Sequence, residues 1–214
     1  MKLYNGDCLE VMKSIPDKSI DAIITDPPYG TTACKWDSVI PFEPMWKELN
    51  RIIKPNGAIV LFGSEPFSSA LRMSNIKNYK YDWIWRKPKG TGHLNAKKQP
   101  LNDVENISLF YKKQCVYNPQ FTKGKPYKAK SGKIGFEGYG KDNRKGNDNN
   151  GKRYPKRLIE FNVVERNTIH PTQKPIPLIE WLVKTYTNEN ETVLDFTMGS
   201  GSTGVACCNT NRDF

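Results

Sequence analysis

Histidine is nearly absent from this chain. Its 214 residues include two, His93 and His170, so no multi-histidine metal centre can be built. Cysteine is sparse as well: five residues, an odd number without any C-x-x-C spacing, which argues against a disulfide framework and against a zinc site. Long apolar runs are missing. No stretch reaches the ~20 apolar residues of a bilayer span, and no apolar segment of signal-peptide type opens the chain. A cytoplasmic protein without a membrane partner or a bound metal is the expectation, with enough chain for one well-buried domain.

Acidic residues are scarce in one place. Between Lys112 and Arg157 stand 14 basic and 3 acidic residues, a net charge of +11 that equals the charge of the whole chain. Lys123, Lys125, Lys128, Lys130, Lys133, Arg144 and Lys145 belong to this stretch, interleaved with Tyr117, Phe121, Tyr127, Phe136, Tyr139 and Tyr154. Gly and Asn dominate residues 141–152, which leaves little to build a core, so partial mobility is expected. Lysines can neutralise phosphates while rings stack on bases; the alternative is a solvated basic linker.

Two local patterns carry chemistry. Ala22-Ile23-Ile24-Thr25 reads as a short buried strand, and Asp26-Pro27-Pro28-Tyr29 follows at once. Consecutive prolines fix two φ angles and remove two donors, so a carboxylate, free carbonyls and a ring are held together where a strand ends. In open α/β sheets ligands bind there. The second pattern is Thr192-Val193-Leu194-Asp195-Phe196, then Gly199-Ser200-Gly201-Ser202-Thr203-Gly204, then a helical Val205-Ala206-Cys207-Cys208. Strand, G-x-G-x-x-G and helix is the order of a nucleotide-binding loop. No Gly-Lys-Ser/Thr follows, which argues against a phosphate-cradling P-loop.

Together these motifs resemble the S-adenosylmethionine-dependent DNA amino-methyltransferases, in the permuted order that places the catalytic motif before the cofactor motif. Asp26-Pro27-Pro28-Tyr29 is similar to the family's catalytic turn, and Asp195-Phe196-Thr197-Met198-Gly199-Ser200-Gly201-Ser202 to its cofactor loop. His170-Pro171-Thr172-Gln173-Lys174-Pro175 resembles a further segment near the methionine end of the cofactor, and Gly6-Asp7-Cys8 an adenosine-side loop with Asp7 as acceptor. The resemblance implies a Rossmann-like α/β fold with a doubly wound, mostly parallel sheet that holds one antiparallel strand. Residues 1–111 form the catalytic half, 112–157 the basic target-recognition insert and 158–214 the cofactor half. It implies S-adenosylmethionine as cofactor, double-stranded DNA as partner and a bacterial or phage-infected cell as setting. A homodimer and a cognate restriction endonuclease stay open.

Between the motifs, Pro55-Asn56-Gly57 reads as a turn before a buried strand, Ala58-Ile59-Val60-Leu61-Phe62. Tyr81-Asp82-Trp83-Ile84-Trp85 alternates like a strand whose two tryptophans face a core. Lys87–His93 reads as a loop with Lys89 and His93 directed at DNA, and Ile107–Tyr111 as another strand. Residues 177–184 have a helical period. Glu105 precedes the last strand where the family usually has His-Glu, and no catalytic role is assigned to it.

The implied reaction moves a methyl group onto the N6 amine of a flipped adenine, with Asp26 and the Pro27 carbonyl accepting from the amine and Tyr29 stacking on the base. Aspartate at the first motif position is commoner in adenine-modifying members, serine in cytosine-modifying ones, so N4-cytosine is the alternative. C5 methylation needs a Pro-Cys turn that is lacking. The acidic residue expected about 20 positions beyond the glycine-rich loop falls past Phe214, which leaves a second alternative, a DNA-binding remnant with weak cofactor binding.

Overall fold

Alternate residues of the inner strands face opposite layers, and both layers are apolar. The computed structural model describes residues 1–32, 34, 36–128, 148–164, 170 and 172–214. Two compact units result: Met1–Asn118 with Arg157–Phe214, and Pro119–Lys156.

In the first unit, α1 (Cys8–Met12) leads into β1 (Ile20–Thr25), α2 (Phe42–Ile52), β2 (Ile53–Gly63), α3 (Phe67–Ser74), β3 (Tyr79–Thr91) and β4 (Asn102–Phe110). The second unit holds β5 (Thr122–Lys123) and β6 (Lys152–Arg153). The chain then returns with β7 (Leu158–Glu160), α4 (Ile176–Tyr186), β8 (Val193–Leu194) and α5 (Ser202–Asn209).

The main sheet has the order β7-β3-β4-β2-β1-β8. Its pairings are parallel except those of β4, which runs antiparallel to both neighbours. This is the Rossmann-like sheet with one antiparallel strand that the motif order implied. Ala22, Ile24, Val60, Phe62, Ile107 and Leu109 face the layer of α4 and α5. Ile23, Ile59, Leu61 and Phe110 face the layer of α1, α2 and α3. Helix α2 buries Met45, Trp46, Leu49 and Ile52, the i, i+4, i+7 spacing of an amphipathic helix. Helix α4 starts with Pro177 in its first turn and buries Leu178, Ile179, Leu182, Val183 and Tyr186.

Three readings of the strands change. Pairing of β2 begins at Ile53, and residues 54–57 bulge outward, because Ile20 pairs with Ile53 and Ala22 with Ala58. Gly57 is required there: a Cβ would stand 2.6 Å from the Ile53 side chain and 2.7 Å from the Asp21 carbonyl. The stretch from Lys87 to Thr91, read as loop, continues β3, which pairs again with β4 at Thr91 and Asn102 after an irregularity. Strand β8 is only two residues long, although Thr192 also bridges Asp213. Trp83 and Trp85 are core residues, 3% and 2% exposed.

Both ends of the second unit leave anchored positions in the first. The Asn118 backbone N–H donates to the Thr185 carbonyl at 2.8 Å, and its side-chain amide donates to the Thr187 carbonyl at 3.1 Å. The Arg157 carbonyl accepts the Ile84 N–H at 2.8 Å, and its guanidinium donates to the Asp82 carbonyl at 2.8 Å. Within the second unit β5 and β6 are antiparallel. Lys152 lies 4.3 Å over the Phe121 ring and Arg153 4.8 Å over the Tyr127 ring. Lys123, Lys125 and Lys128 are exposed. Lys130, Lys133, Arg144 and Lys145 lie outside the described residues, as do Phe136 and Tyr139.

No helix among the described residues is long and apolar enough to cross a membrane. In the core the Trp83 indole N–H donates to the Tyr186 hydroxyl at 2.5 Å, and the Tyr81 hydroxyl lies 3.1 Å from the same oxygen. Tyr186→Phe strands a buried indole donor. Urea denaturation should show a loss of about 1–3 kcal/mol, the cost of an unmade buried hydrogen bond; an unchanged midpoint would mean that the indole finds another acceptor.

Candidate active site

The Asp26–Tyr29 turn and the glycine-rich loop meet because β1 and β8 are neighbours. Both strands end at the same edge of the sheet, at the point where the strand order reverses from β1. Thr25 closes the junction. Its hydroxyl donates to Asp195 and lies 2.8 Å from the Thr197 hydroxyl. Asp195 also accepts from the Thr203 hydroxyl at 2.8 Å and the Thr197 N–H at 3.1 Å. Thr197 in turn donates to the Asp26 carbonyl at 3.1 Å. Burial pushes the Asp195 carboxyl upward, and the three donors oppose that shift.

Above this junction opens a cleft of ≈ 840 Å³. Asp26, Pro27, Pro28, Tyr29, His170, Thr172, Gln173, Lys174, Asp195, Thr197, Gly199, Ser200, Gly201 and Ser202 line it together with Thr25, Trp36, Phe62, Lys87, Thr91 and Glu105. Most of the residues expected at the site therefore converge. Asp7, Cys8 and Phe196 do not line the cleft. Asp7 caps α1, accepting the Leu9 N–H at 2.8 Å, Cys8 is the first residue of that helix, and Phe196 packs in the core. Lys89 on β3 and His93 on the β3–β4 connection are exposed, and neither lines the cleft.

At the centre lies a group that the motifs did not show. Lys174 Nζ stands 2.5 Å from Asp26 Oδ2 and 3.0 Å from Glu105 Oε1. Lys87 Nζ stands 2.7 Å from Glu105 Oε2. The Tyr29 hydroxyl donates to Asp26 Oδ1 and lies 3.0 Å from Glu105 Oε1. Two carboxylates and two ammonium groups thus share one buried place with no net charge. Burial would raise Glu105, but Lys174 and Lys87 hold it below the usual carboxylate range. Asp26 moves the other way, because burial and the nearby Glu105 charge outweigh the pull of Lys174. Lys174 is raised: burial would lower it, and the two carboxylates prevail. Burial and both carboxylates push the Tyr29 phenol well above its ordinary value.

Glu105 was missed because its place depends on strand direction. Antiparallel β4 delivers its first residues to the edge where the parallel strands end. A signal existed: Glu105, Ile107 and Leu109 share one face, as do Trp83, Trp85 and Lys87 on β3, so each strand carries a charge on an apolar face. The register pairs Trp85 with Glu105, which brings those charges together.

The Tyr29 ring stacks on Phe67, with centroids 5.1 Å apart and an interplanar angle of 27°. The hydroxyl is as engaged as the ring, which the motif alone did not reveal. His170 sits between Trp36, ring centroids 5.3 Å apart, and Gly199, where a Cβ would fill the gap and stand 3.4 Å from the imidazole. Gly201 has φ +77° and starts α5, so the turn needs the left-handed conformation that glycine tolerates. The Ser200 and Ser202 hydroxyls lie 3.0 Å apart beside it. Hydroxyls and first-turn N–H groups that can donate, with neighbouring carboxylates that can accept, fit the carboxylate and ammonium of the amino-acid end of S-adenosylmethionine, and the cleft has room for a nucleoside-sized ligand. Among the described residues no group of three or more His, Cys, Asp or Glu could hold a metal ion.

Residues 20–214 match the DNA methylase family. The chain belongs to it. The chain is 31% identical over its whole length to the type II methyltransferase M.BglII of Bacillus subtilis, of which it spans 64%. It is 28% identical to the type II methyltransferase M.HpaI of Haemophilus parainfluenzae over 99% of its length and 68% of that relative. Among solved structures, the M1.HpyAVI–SAM complex superposes with a TM-score of 0.63 at 27% identity, covering 99% of this chain and 90% of the other. The cytosine-N4-specific PvuII DNA methyltransferase, at 18% identity and a TM-score of 0.68 over 98% of this chain and 78% of that one, shares the fold.

One further residue shapes the Asp26–Tyr29 turn. Asp37 Oδ1 accepts the N–H groups of Tyr29 and Gly30 at 2.8 and 2.9 Å, and Oδ2 those of Thr31 and Thr32 at 2.9 and 2.7 Å. Burial would raise this carboxyl; the bonds from Thr32, Gly30 and Tyr29 outweigh it and hold the pKa to about 2. A depressed folded-state pKa gives stability that is complete above the ordinary value near 4 and fades as pH falls towards 2. Asp37→Asn keeps one acceptor oxygen and places an amine against Thr31 and Thr32. Hydrogen exchange by mass spectrometry should then show faster exchange at residues 29–32, by about 5-fold or more for a broken bond of ~1 kcal/mol. Unchanged protection would show that the turn holds without the carboxylate.

Proposed function

We propose that the chain is a site-specific DNA methyltransferase acting on the N6 amine of an adenine extruded from the duplex. The observation that carries this reading is the single cleft in which the Asp26 turn and the Gly199–Ser202 loop face each other, tied through Thr25 and Asp195. S-adenosylmethionine, when bound, supplies a sulfonium methyl group. Ser200, Gly201, Ser202, His170 and Thr172 are the residues that would hold its amino-acid end.

An exocyclic amine conjugated with its ring is a weak nucleophile. Asp26 accepts from the amine and, with a free carbonyl of the Pro-Pro turn, draws the nitrogen towards a tetrahedral form whose lone pair points at the methyl group. The new N–C bond leaves positive charge on the amine, and the Asp26 carboxylate stabilises it. Its raised pKa suits it to take the departing proton. The rest of the catalysis is positioning. A base inside a duplex cannot reach Asp26, so flipping is part of the proposal. Aspartate rather than serine at position 26 supports adenine over cytosine. The exposed Lys123, Lys125 and Lys128, with Lys89 and His93, are the proposed contacts to the DNA backbone.

Incubating the chain with unmethylated duplex DNA and S-adenosylmethionine, then digesting to nucleosides for mass spectrometry, should yield N6-methyladenine. N4-methylcytosine would keep the mechanism and change the base, and absence of both would overturn the reading. Asp26→Ala should lower the rate by about 10²–10³-fold or more, as expected when an electrostatic stabiliser is removed. A fully active Asp26→Ala would sink the mechanism. Replacing Lys123, Lys125 and Lys128 by Gln should reduce the salt slope of DNA binding by roughly one for each phosphate no longer neutralised. An unchanged slope would return the segment to a solvated linker.

A further inference from the structure

Both oxygens of the resting Asp26 carboxylate already carry a donor. Oδ2 carries the Lys174 ammonium at 2.5 Å and Oδ1 the Tyr29 hydroxyl. A target amine that donates to Asp26 must share an oxygen with a donor already in place, an ammonium on Oδ2 or a phenol on Oδ1. A full positive charge beside that carboxylate also opposes the positive charge that develops on the amine. The same two donors share a second acceptor: Glu105 Oε1 lies 3.0 Å from Lys174 Nζ and 3.0 Å from the Tyr29 hydroxyl. Glu105 is itself anchored through its other oxygen by Lys87 at 2.7 Å.

We propose that Glu105 is the alternate seat of the Lys174 ammonium, and that Lys174 shifts from Asp26 onto Glu105 when the target amine takes the Asp26 carboxylate. The proposal rests on the methyltransferase reading above. Glu105 is then a positioning residue that acts through Lys174, and Lys174 a movable counter-ion. The exchange desolvates no new charge, because the lysine stays in the buried group throughout: its side chain is 11% exposed and that of Glu105 is 6%. It also leaves Lys174 paired at the moment Asp26 accepts a proton and becomes neutral. Lys87 keeps Glu105 in place at both stages, and its ion pair is with Glu105 rather than with Asp26.

A set of charge-balanced variants separates this role from plain charge neutrality. Glu105→Gln removes the alternate seat and fixes Lys174 on Asp26. Single-turnover methylation of unmethylated genomic DNA should fall by about 10–100-fold, the coupling that members of one ion-pair network show, with cofactor affinity changed by less than about 3-fold. Adding Lys174→Met to Glu105→Gln restores neutrality and frees Asp26 Oδ2, so the rate should recover by about 10-fold or more. Adding Lys87→Met to Glu105→Gln also restores neutrality but leaves Lys174 on Asp26, so the rate should not recover. Equal recovery in both double variants would overturn the proposal in favour of charge balance, and recovery in neither would overturn it too, because a counter-ion that only has to leave Asp26 is dispensable once it is gone. If Glu105→Gln does not fold, crystal structures of the wild-type chain decide instead, alone and with S-adenosylhomocysteine and a duplex carrying the site mapped from its methylated DNA. Nζ must leave Asp26 and remain within about 3.2 Å of Glu105; a Lys174 still on Asp26 in the ternary complex would overturn it. A wild-type chain that methylates neither base refutes the methyltransferase reading, whereas an active wild type with equal rescues refutes only the Lys174 exchange.

Discussion

The hydrogen bond from Thr25 to Asp195 is the constraint on which the rest depends. Residues 25 and 195 are far apart in the chain, yet Thr25 ends β1 and Asp195 directly follows β8, its parallel neighbour. A carboxylate buried there is costly unless it is hydrogen-bonded, and Asp195 is satisfied by three donors from both sides of the junction. The bond therefore locks two loops that no local pattern relates. Displacing either strand by one residue would turn Thr25 away and strand the carboxylate. The relative placement of catalytic turn and glycine-rich loop is thus a property of sheet register.

Reversal of β4 adds the second layer of organisation. A purely parallel sheet would present the start of this strand at the far edge. Running backwards, it brings Glu105 under the catalytic turn, against Lys87 from the neighbouring strand and Lys174 from the segment before α4. A buried group with two charges of each sign is tolerated because every member has a partner. Removing one member leaves an uncompensated charge, typically a cost of about 3–5 kcal/mol. Such a group fixes geometry more than it adds stability.

What the sequence made legible was local. The apolar run before Asp26, the helical period of residues 177–184 and the burial of Trp83 and Trp85 follow from spacing and residue type alone, and they hold. The glycine-rich loop and the catalytic turn were visible for the same reason. Interactions across strands were hidden. Glu105 and Lys87 look like ordinary charged strand residues until the register between β3 and β4 is known. Lys174 belonged to a segment expected near the cofactor, and the structure sets it on Asp26. Asp37 acts on backbone N–H groups five to eight residues earlier, a relation that side-chain patterns do not encode. The outward bulge at residues 54–57 concealed the true start of β2, because Pro-Asn-Gly reads as a turn whether it ends a strand or interrupts one.

The anchored positions Asn118 and Arg157 bear on chain length. Both are tied to carbonyls or N–H groups of the main sheet unit, so the polypeptide between them is a closed loop with fixed ends. The entropy of closing such a loop grows only with the logarithm of its length, about 0.6 kcal/mol for each doubling. The closure cost that this segment imposes on the sheet unit therefore depends only weakly on its length, whereas a single inserted residue within β1 or β8 would misalign the Asp26 turn against the glycine-rich loop.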